Sequence, residues 1–226
     1  MKPISEVFHG DCMAFMAGLP DGYFELAVVD PPYGIGEALV KGGGGGGWAN
    51  MVNSGADEWD IAPPPEYFKE LFRVSKNQII WGGNYFELPA CKMPICWDKV
   101  RPNQKNAGEW EYAWTSFVGR ARLFSYCANG GFILKDARIH PTQKPVALYE
   151  WILKNYAKPG DKILDTHLGS QSSRIAAYKM GFDFWGCEID GDYIRDGNAR
   201  FEKEIAMPLF DTPKPALQSQ LNFTAL

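Results

Sequence analysis

Two stretches of this chain bring together residues able to do chemistry. The first is Asp30–Pro31–Pro32–Tyr33. Its prolines fix the backbone and leave carbonyl groups with no neighbouring N–H donors. The Asp30 carboxylate and such a carbonyl can together accept both hydrogens of an exocyclic –NH2 group. An aromatic amine delocalises its lone pair into its ring, and two acceptors draw that pair toward a localised, nucleophilic geometry. Tyr33 adds a flat face on which a base can stack, worth roughly 1–3 kcal/mol. The second stretch runs from Lys162 to Asp165 and on through Thr166, His167, Leu168, Gly169 and Ser170. It reads as a strand, a glycine turn and a helix start, which is a nucleotide-binding geometry. Glycine lets a ligand approach the backbone, and a helix N-terminus favours anionic groups. Nineteen positions beyond Gly169, Glu188 ends the next strand, placed to accept from both hydroxyls of a ribose. No Gly-x-Gly-x-x-Gly follows this strand and no Gly-x-x-x-x-Gly-Lys-[Ser/Thr] occurs. Nicotinamide cofactors and phosphate-binding loops are therefore disfavoured.

Positioning these residues requires alternating strands and helices. Val7–His9 reads as a short strand ending in a Gly10–Asp11 turn, and Glu25–Asp30 as a buried strand stopped by Pro31–Pro32. A helix over Pro63–Val74 carries apolar Tyr67, Phe68, Leu71 and Phe72 at helical spacing, and Gln78–Trp81 is a further strand. Strict alternation returns with a helix at Val146–Tyr156, a strand at Lys162–Asp165, a helix at Ser172–Met180, a strand at Phe184–Glu188 and a helix from Asp192. That order predicts an α/β fold with a doubly wound, Rossmann-like, mainly parallel sheet. Between its halves the pattern changes to short strand-like pieces, Ile95–Trp97, Tyr112–Phe117 and Arg122–Tyr126. The expected organisation is a first half at 1–90 with a mobile glycine loop at 41–48, a strand-rich insert at 91–137, a second half at 138–206 and a flexible tail at 207–226.

Composition bounds the function. The 226 residues suffice for one domain with a real core, and no apolar run approaches the roughly 18 residues that span a bilayer. The first thirteen residues hold no apolar signal region. Five scattered cysteines (Cys12, Cys91, Cys96, Cys127 and Cys187) without a C-x-x-C pair, with only three histidines, predict reduced cytoplasmic thiols and no metal site. A net charge of −4 by itself argues against nucleic acid, but Lys92 to Lys144 holds nine basic and four acidic residues. A local basic patch is all that phosphate contact requires.

The tetrad on its strand resembles that of the amino-methyltransferases acting on DNA, [DNS]-P-P-[YFW], and its Asp form is like the adenine-specific members. Asp165, Gly169 and Ser170 match the S-adenosylmethionine motif of that family, D-x-F-x-G-S-G, while Thr166, His167 and Gln171 depart from it. Position 171 is expected to be an ordinary helix N-terminus, where glutamine is tolerated. His140–Pro141–Thr142–Gln143–Lys144–Pro145 is similar to H-P-x-x-K-P, which implies that Lys144 and Thr142 meet the cofactor's carboxylate. Gly10–Asp11–Cys12 matches the family's G-D-C element, which implies that Asp11 accepts from the cofactor's adenine. His167 is expected as a packed or cofactor-wall residue. The tetrad lies about 135 residues before the cofactor motif, which resembles the circularly permuted β-group and its phage-like members, spanning roughly residues 7 to 204.

The resemblance implies a site-specific methyltransferase that takes its methyl from S-adenosylmethionine and delivers it to a flipped adenine of double-stranded DNA. Asp30, Pro31, Pro32 and Tyr33 are the implied catalytic set. Asp11, Cys12, Asp30, His140, Thr142, Lys144, Asp165, His167, Gly169, Ser170 and Glu188 are the implied cofactor set. Arg101, Lys105, Arg120 and Arg122 are the candidate phosphate contacts. A restriction partner and a homodimer stay open, and the tail (Met207–Phe210 or Gln220–Phe223) faintly resembles sliding-clamp peptides. The alternatives are a cytosine-N4 methyltransferase, an amine on RNA or protein as acceptor, and a DNA-binding relative with weakened catalysis.

Overall fold

A computed structural model describes residues 2–35, 60–100, 108–127, 139–140 and 142–206. The glycine loop at 42–47, Arg101, Lys105, Pro141 and the tail at 207–226 lie outside the described residues.

The first strands form where the sequence is aliphatic and stop where it can no longer donate. Strand β1 is Ser5–His9 and β2 is Phe24–Val29. In β2, Leu26 and Val28 enter one hydrophobic cluster while Ala27 and Val29 enter another, the two-residue period of a strand buried on both faces. The prolines at 31 and 32 then end it. Helix α1 (Cys12–Ala17) was not expected from the sequence; the Asp11 side chain caps it by accepting from the Met13 N–H at 2.7 Å. Helix α2 (Pro65–Val74) has proline in its first turn and buries Tyr67, Phe68, Leu71 and Val74. Strand β3 is Ser75–Trp81, beginning three residues before the sequence pattern suggested.

Strands β4 (Ile95–Asp98), β5 (Trp110–Thr115) and β6 (Arg122–Ser125) follow, then helix α3 (Val146–Tyr156), strand β7 (Lys162–Asp165) and helix α4 (Ser172–Met180). Strand β8 (Asp183–Glu188) and helix α5 (Gly191–Ala206) complete the described chain. Gly181, at φ 79°, closes α4 in the left-handed conformation that glycine alone adopts without strain.

The eight strands make one sheet in the order β1-β8-β7-β2-β3-β5-β4-β6. Neighbours from β1 to β3 are parallel, while β5 runs antiparallel to both β3 and β4. The strands of the 91–137 region therefore continue the main sheet. Helices α1 and α2 cover one face of the sheet, with Met16, Tyr67 and Leu71 in its core. Helices α3 and α4 supply Leu148, Ile152, Ala176 and Ala177 to the other cluster. From β2 the chain crosses to β3 on one side, and from β7 it crosses to β8 on the other. The boundary between β2 and β7 is thus the point where winding reverses, and ligands of such sheets bind at the carboxyl ends of the strands there.

Candidate active site

Asp30 and Asp165 reach that boundary from neighbouring strands. Asp30 immediately follows β2 and Asp165 ends β7, and Leu26 and Ala27 pair with Ile163 and Leu164. The Asp30 carboxylate is half-buried, and each of its oxygens has a partner. Its Oδ1 accepts from the Tyr33 hydroxyl at 2.7 Å, and its Oδ2 is ion-paired to the Lys144 ammonium. Lys144 is 4% exposed, too deep to remain charged without carboxylates around it. Its second partner is Glu111 of β5, at 3.1 Å, and Glu111 is in turn paired with Lys99 at 2.5 Å. A line of alternating charge thus runs Asp30–Lys144–Glu111–Lys99, from the parallel half of the sheet into the 91–137 region. Burial pushes the Asp30 carboxyl above its ordinary range; Lys144 opposes that rise and Glu111 adds to it. Glu111 is also disfavoured by burial, yet Lys144 and Lys99 outweigh this and hold it down at about 2.

The tetrad's backbone is fixed by a residue that the sequence reading missed. Asp60, 8% exposed, accepts from the N–H groups of Tyr33 (2.8 Å), Gly34 (3.1 Å) and Ile35 (2.8 Å). Gly34 sits at φ 70°, the left-handed turn that aims these donors at one carboxylate. The Tyr33 ring lies on Gly82, where any β-carbon would come within 2.2 Å of it. The same ring stacks on Tyr85, with centroids 5.0 Å apart, and Tyr85 is 48% exposed. The phrase Trp81–Gly82–Gly83 carried the signal for this contact, since two glycines after a buried strand invite close packing.

Across the boundary, the turn after β7 is held from three directions. Asp165 is 1% exposed and accepts from Ser173 Oγ at 2.5 Å and the His167 N–H at 3.1 Å; burial pushes its carboxyl up to about 7. Gly169 takes φ 47°, and its N–H donates to Glu188 Oε2 at 2.7 Å. Glu188 Oε1 also accepts from the Ile189 and Asp190 N–H groups. Arg200 of α5, absent from the expected set, donates to the Ser170 carbonyl at 2.7 Å and to Ser172 Oγ, which itself donates to the Lys144 carbonyl. His167 packs edge-on against Tyr67 and shares the Thr166 hydroxyl with it, and burial lowers its pKa to about 4. His140 lies over Gly169, packs against Tyr193 and meets the Thr142 hydroxyl at 3.1 Å; burial first, then Lys144, lowers its pKa to about 4. Asp11 and Cys12 stand beside this turn, at the end of β1 next to β8. Burial raises the Cys12 thiol to about 11.

One expectation changes, and two expected site residues have partners within the protein. Gln171 is not at an ordinary helix N-terminus but at φ 61°, a left-handed position costing a non-glycine residue roughly 1–2 kcal/mol. The fully buried amide answers that cost with bonds to the Ile194 carbonyl, Asn198 and Arg174. Lys144, expected beside a cofactor carboxylate, has its ammonium on Asp30 and Glu111, because a buried cation is most stable between two anions. Arg122 is exposed, but its guanidinium already bonds Asn155 at 3.0 Å and faces the Trp151 ring. Arg120 is exposed.

Among the described residues no group of three or more His, Cys, Asp or Glu gathers as metal ligands would, and no helix is long and apolar enough to cross a membrane. A cavity of about 300 Å³ lined by Phe72, Gln78, Trp114 and Phe117 lies against β3 and β5 and includes none of the site residues.

Comparison with known proteins bears on this arrangement. The DNA methylase family profile matches residues 78–199. The Type II methyltransferase M2.DpnII of Streptococcus pneumoniae is 24% identical over 242 aligned positions, covering 87% of this chain and 89% of that protein. The solved M1.HpyAVI–SAM complex superposes with a TM-score of 0.56 at 18% identity, covering 86% of this chain and 98% of that one. The PvuII DNA methyltransferase, cytosine-N4-specific, gives 0.56 at 14% identity, over 91% and 93% of the two chains. These superpositions establish a shared fold.

Proposed function

The chain belongs to the DNA methylase family, and on that premise we propose that it transfers a methyl group from S-adenosylmethionine to the exocyclic amino group of a flipped adenine in double-stranded DNA. One observation carries this reading. A carboxylate fixed by a double proline and a glycine-turned nucleotide site end adjacent parallel strands, β2 and β7, where the winding of the sheet reverses.

The residues around the second site suit that cofactor. Gly169 presents bare backbone at φ 47°, Glu188 has acceptor capacity beyond the three N–H groups it holds, and Asp11 stands exposed at the adjoining strand end. The same acidic lining complements a cationic ligand. When bound, the cofactor supplies a sulfonium methyl that is already electrophilic. What remains for the protein is alignment and electrostatics. Asp30 and the Pro31 carbonyl accept the two hydrogens of the target amine and orient its lone pair toward the cofactor side. Tyr33 holds Asp30 through its hydroxyl, and Tyr85, stacked on it and open to solvent, extends the aromatic platform for the base. Asp60 keeps that loop from relaxing. Adenine is favoured because the Asp form of the tetrad resembles the adenine-specific members. The target must leave the duplex, since its amino nitrogen is not accessible in line inside the stack. Exposed Arg120 and Arg122, in the basic 92–144 region, are the described candidates for phosphate contact.

The test is labelled-methyl transfer to DNA by Asp30→Ala. Loss of the aligning acceptor should lower transfer by about 100- to 1,000-fold, with cofactor affinity measured by calorimetry retained. Transfer within a few-fold of wild type would refute the role of Asp30.

A further inference from the structure

Asp30 meets the substrate already paired with a buried cation. One oxygen accepts from Tyr33 and the other is held by the Lys144 ammonium; each keeps a lone pair, but an incoming amine must share the carboxylate's charge with that cation. Removing Lys144 to solvent is not an answer, because it is buried beneath Tyr33 and Trp81, its ammonium 5.9 and 5.4 Å from their rings. A second carboxylate is within reach of the same ammonium. Glu111 Oε2 is 3.1 Å from it, on the strand that joins the 91–137 region to the main sheet. A lysine can pass from one carboxylate to the other without losing an ionic partner, and its flexible stem has the length to do so.

We infer that Glu111 is a positioning residue for methyl transfer: it receives the Lys144 ammonium when the target base engages Asp30, and so strengthens the carboxylate as an acceptor for the base. This rests on the reading of Asp30 as the acceptor of the target amine. Lys99, 2.5 Å from Glu111 and 5.2 Å from the Trp97 ring, fixes the receiving carboxylate from β4 and its following loop. The exchange couples a residue of the 91–137 region, through the Lys144 ammonium, to the Asp30 carboxylate. Groups facing this cluster are Asp30 and Tyr33 from the end of β2, Lys144 ahead of α3, Tyr149 within α3, Lys99 after β4, and Asp165 at the end of β7.

The experiment compares wild type with Glu111→Gln, each measured for kcat, KM for DNA and the pH profile of kcat. Glutamine keeps the shape but cannot stabilise the transferred ammonium. Loss of one such charged hydrogen bond should lower plateau kcat by about 10- to 100-fold, with KM for DNA within a few-fold. The acid limb of the profile should move to lower pH, because Glu111 raises the Asp30 carboxyl and its removal ends that repulsion. A merely structural role would not shift that limb downward. Glu111→Asp keeps the charge and should recover most of the plateau rate with the wild-type limb; it also serves if Glu111→Gln does not fold, when a plateau more than about 100-fold below wild type in a folded Glu111→Asp would count against the inference. Unchanged kcat, or an acid limb that stays put or moves up, in a folded Glu111→Gln would overturn it. If instead Asp30→Ala transfers methyl at the wild-type rate, the reading of Asp30 fails, and that outcome is separate.

Discussion

At the scale of single residues, the site is made of charged groups buried in pairs and neutral groups buried alone. Asp30, Lys144 and Glu111 compensate one another, whereas His167 stays uncharged inside the protein. Burial lowers the His167 pKa from 6.5 to about 4, so the unfolded chain takes up a proton in that interval and the folded chain does not. Stability from the neutral ring is complete above pH 6.5 and is lost as pH falls toward 4. His140 behaves in the same way, while Asp165, raised to about 7, has the opposite sign and loses stability as pH rises toward 7. His167→Gln should therefore lose less stability than wild type when pH falls from 6.5 to 4, as read by urea unfolding at each pH. Parallel curves for the two proteins would contradict a buried neutral imidazole. The tetrad and the glycine turn could be read directly from the sequence because their chemistry is local. Asp60, Glu111 and Arg200 could not, since each acts through partners distant in sequence that only the sheet brings close.

At the scale of elements, strands and helices with a strong period were legible, and those held by a cap or a cross-chain contact were not. Helix α1 is only six residues long and depends on the Asp11 cap. The conformation of position 171 was equally hidden, because what permits it sits on α5. A β-carbon at Gly197 would come within 2.5 Å of the Gln171 amide, so the glycine of one helix makes room for the glutamine that starts another. The pair should behave as a unit. Gly197→Ala should destabilise the protein by about 1–3 kcal/mol, more than the gain of about 1 kcal/mol in helix propensity returns. Gln171→Gly relieves the left-handed strain but abandons three buried hydrogen bonds. Chemical denaturation of the double variant should show less destabilisation than the sum of the singles, by more than about 0.5 kcal/mol. Additive effects would mean that Gln171 and Gly197 do not share this space.

At the scale of the whole molecule, one eight-stranded sheet carries both the candidate site and the described strands of the 91–137 region. The doubly wound architecture followed from the alternation of strands and helices, and the net charge of −4 conceals an acidic scaffold joined to a basic segment. What the strand pattern of residues 91–137 did not reveal is that β5 pairs with β3, so that the segment extends the sheet and brings Glu111 to Lys144. Register between non-consecutive strands is a long-range property that a local pattern does not contain. The central claim, methylation of an adenine amino group through Asp30, is tested most directly by base-resolved mapping of labelled methyl groups. The substrate is double-stranded DNA rich in short diverse sites, treated with wild type or Asp30→Ala in the presence of S-adenosylmethionine. The account predicts N6-methyladenine at a restricted set of sequences with wild type and almost none with the variant. Methylation confined to cytosine N4, or none on any DNA by a folded protein that binds the cofactor, would contradict it.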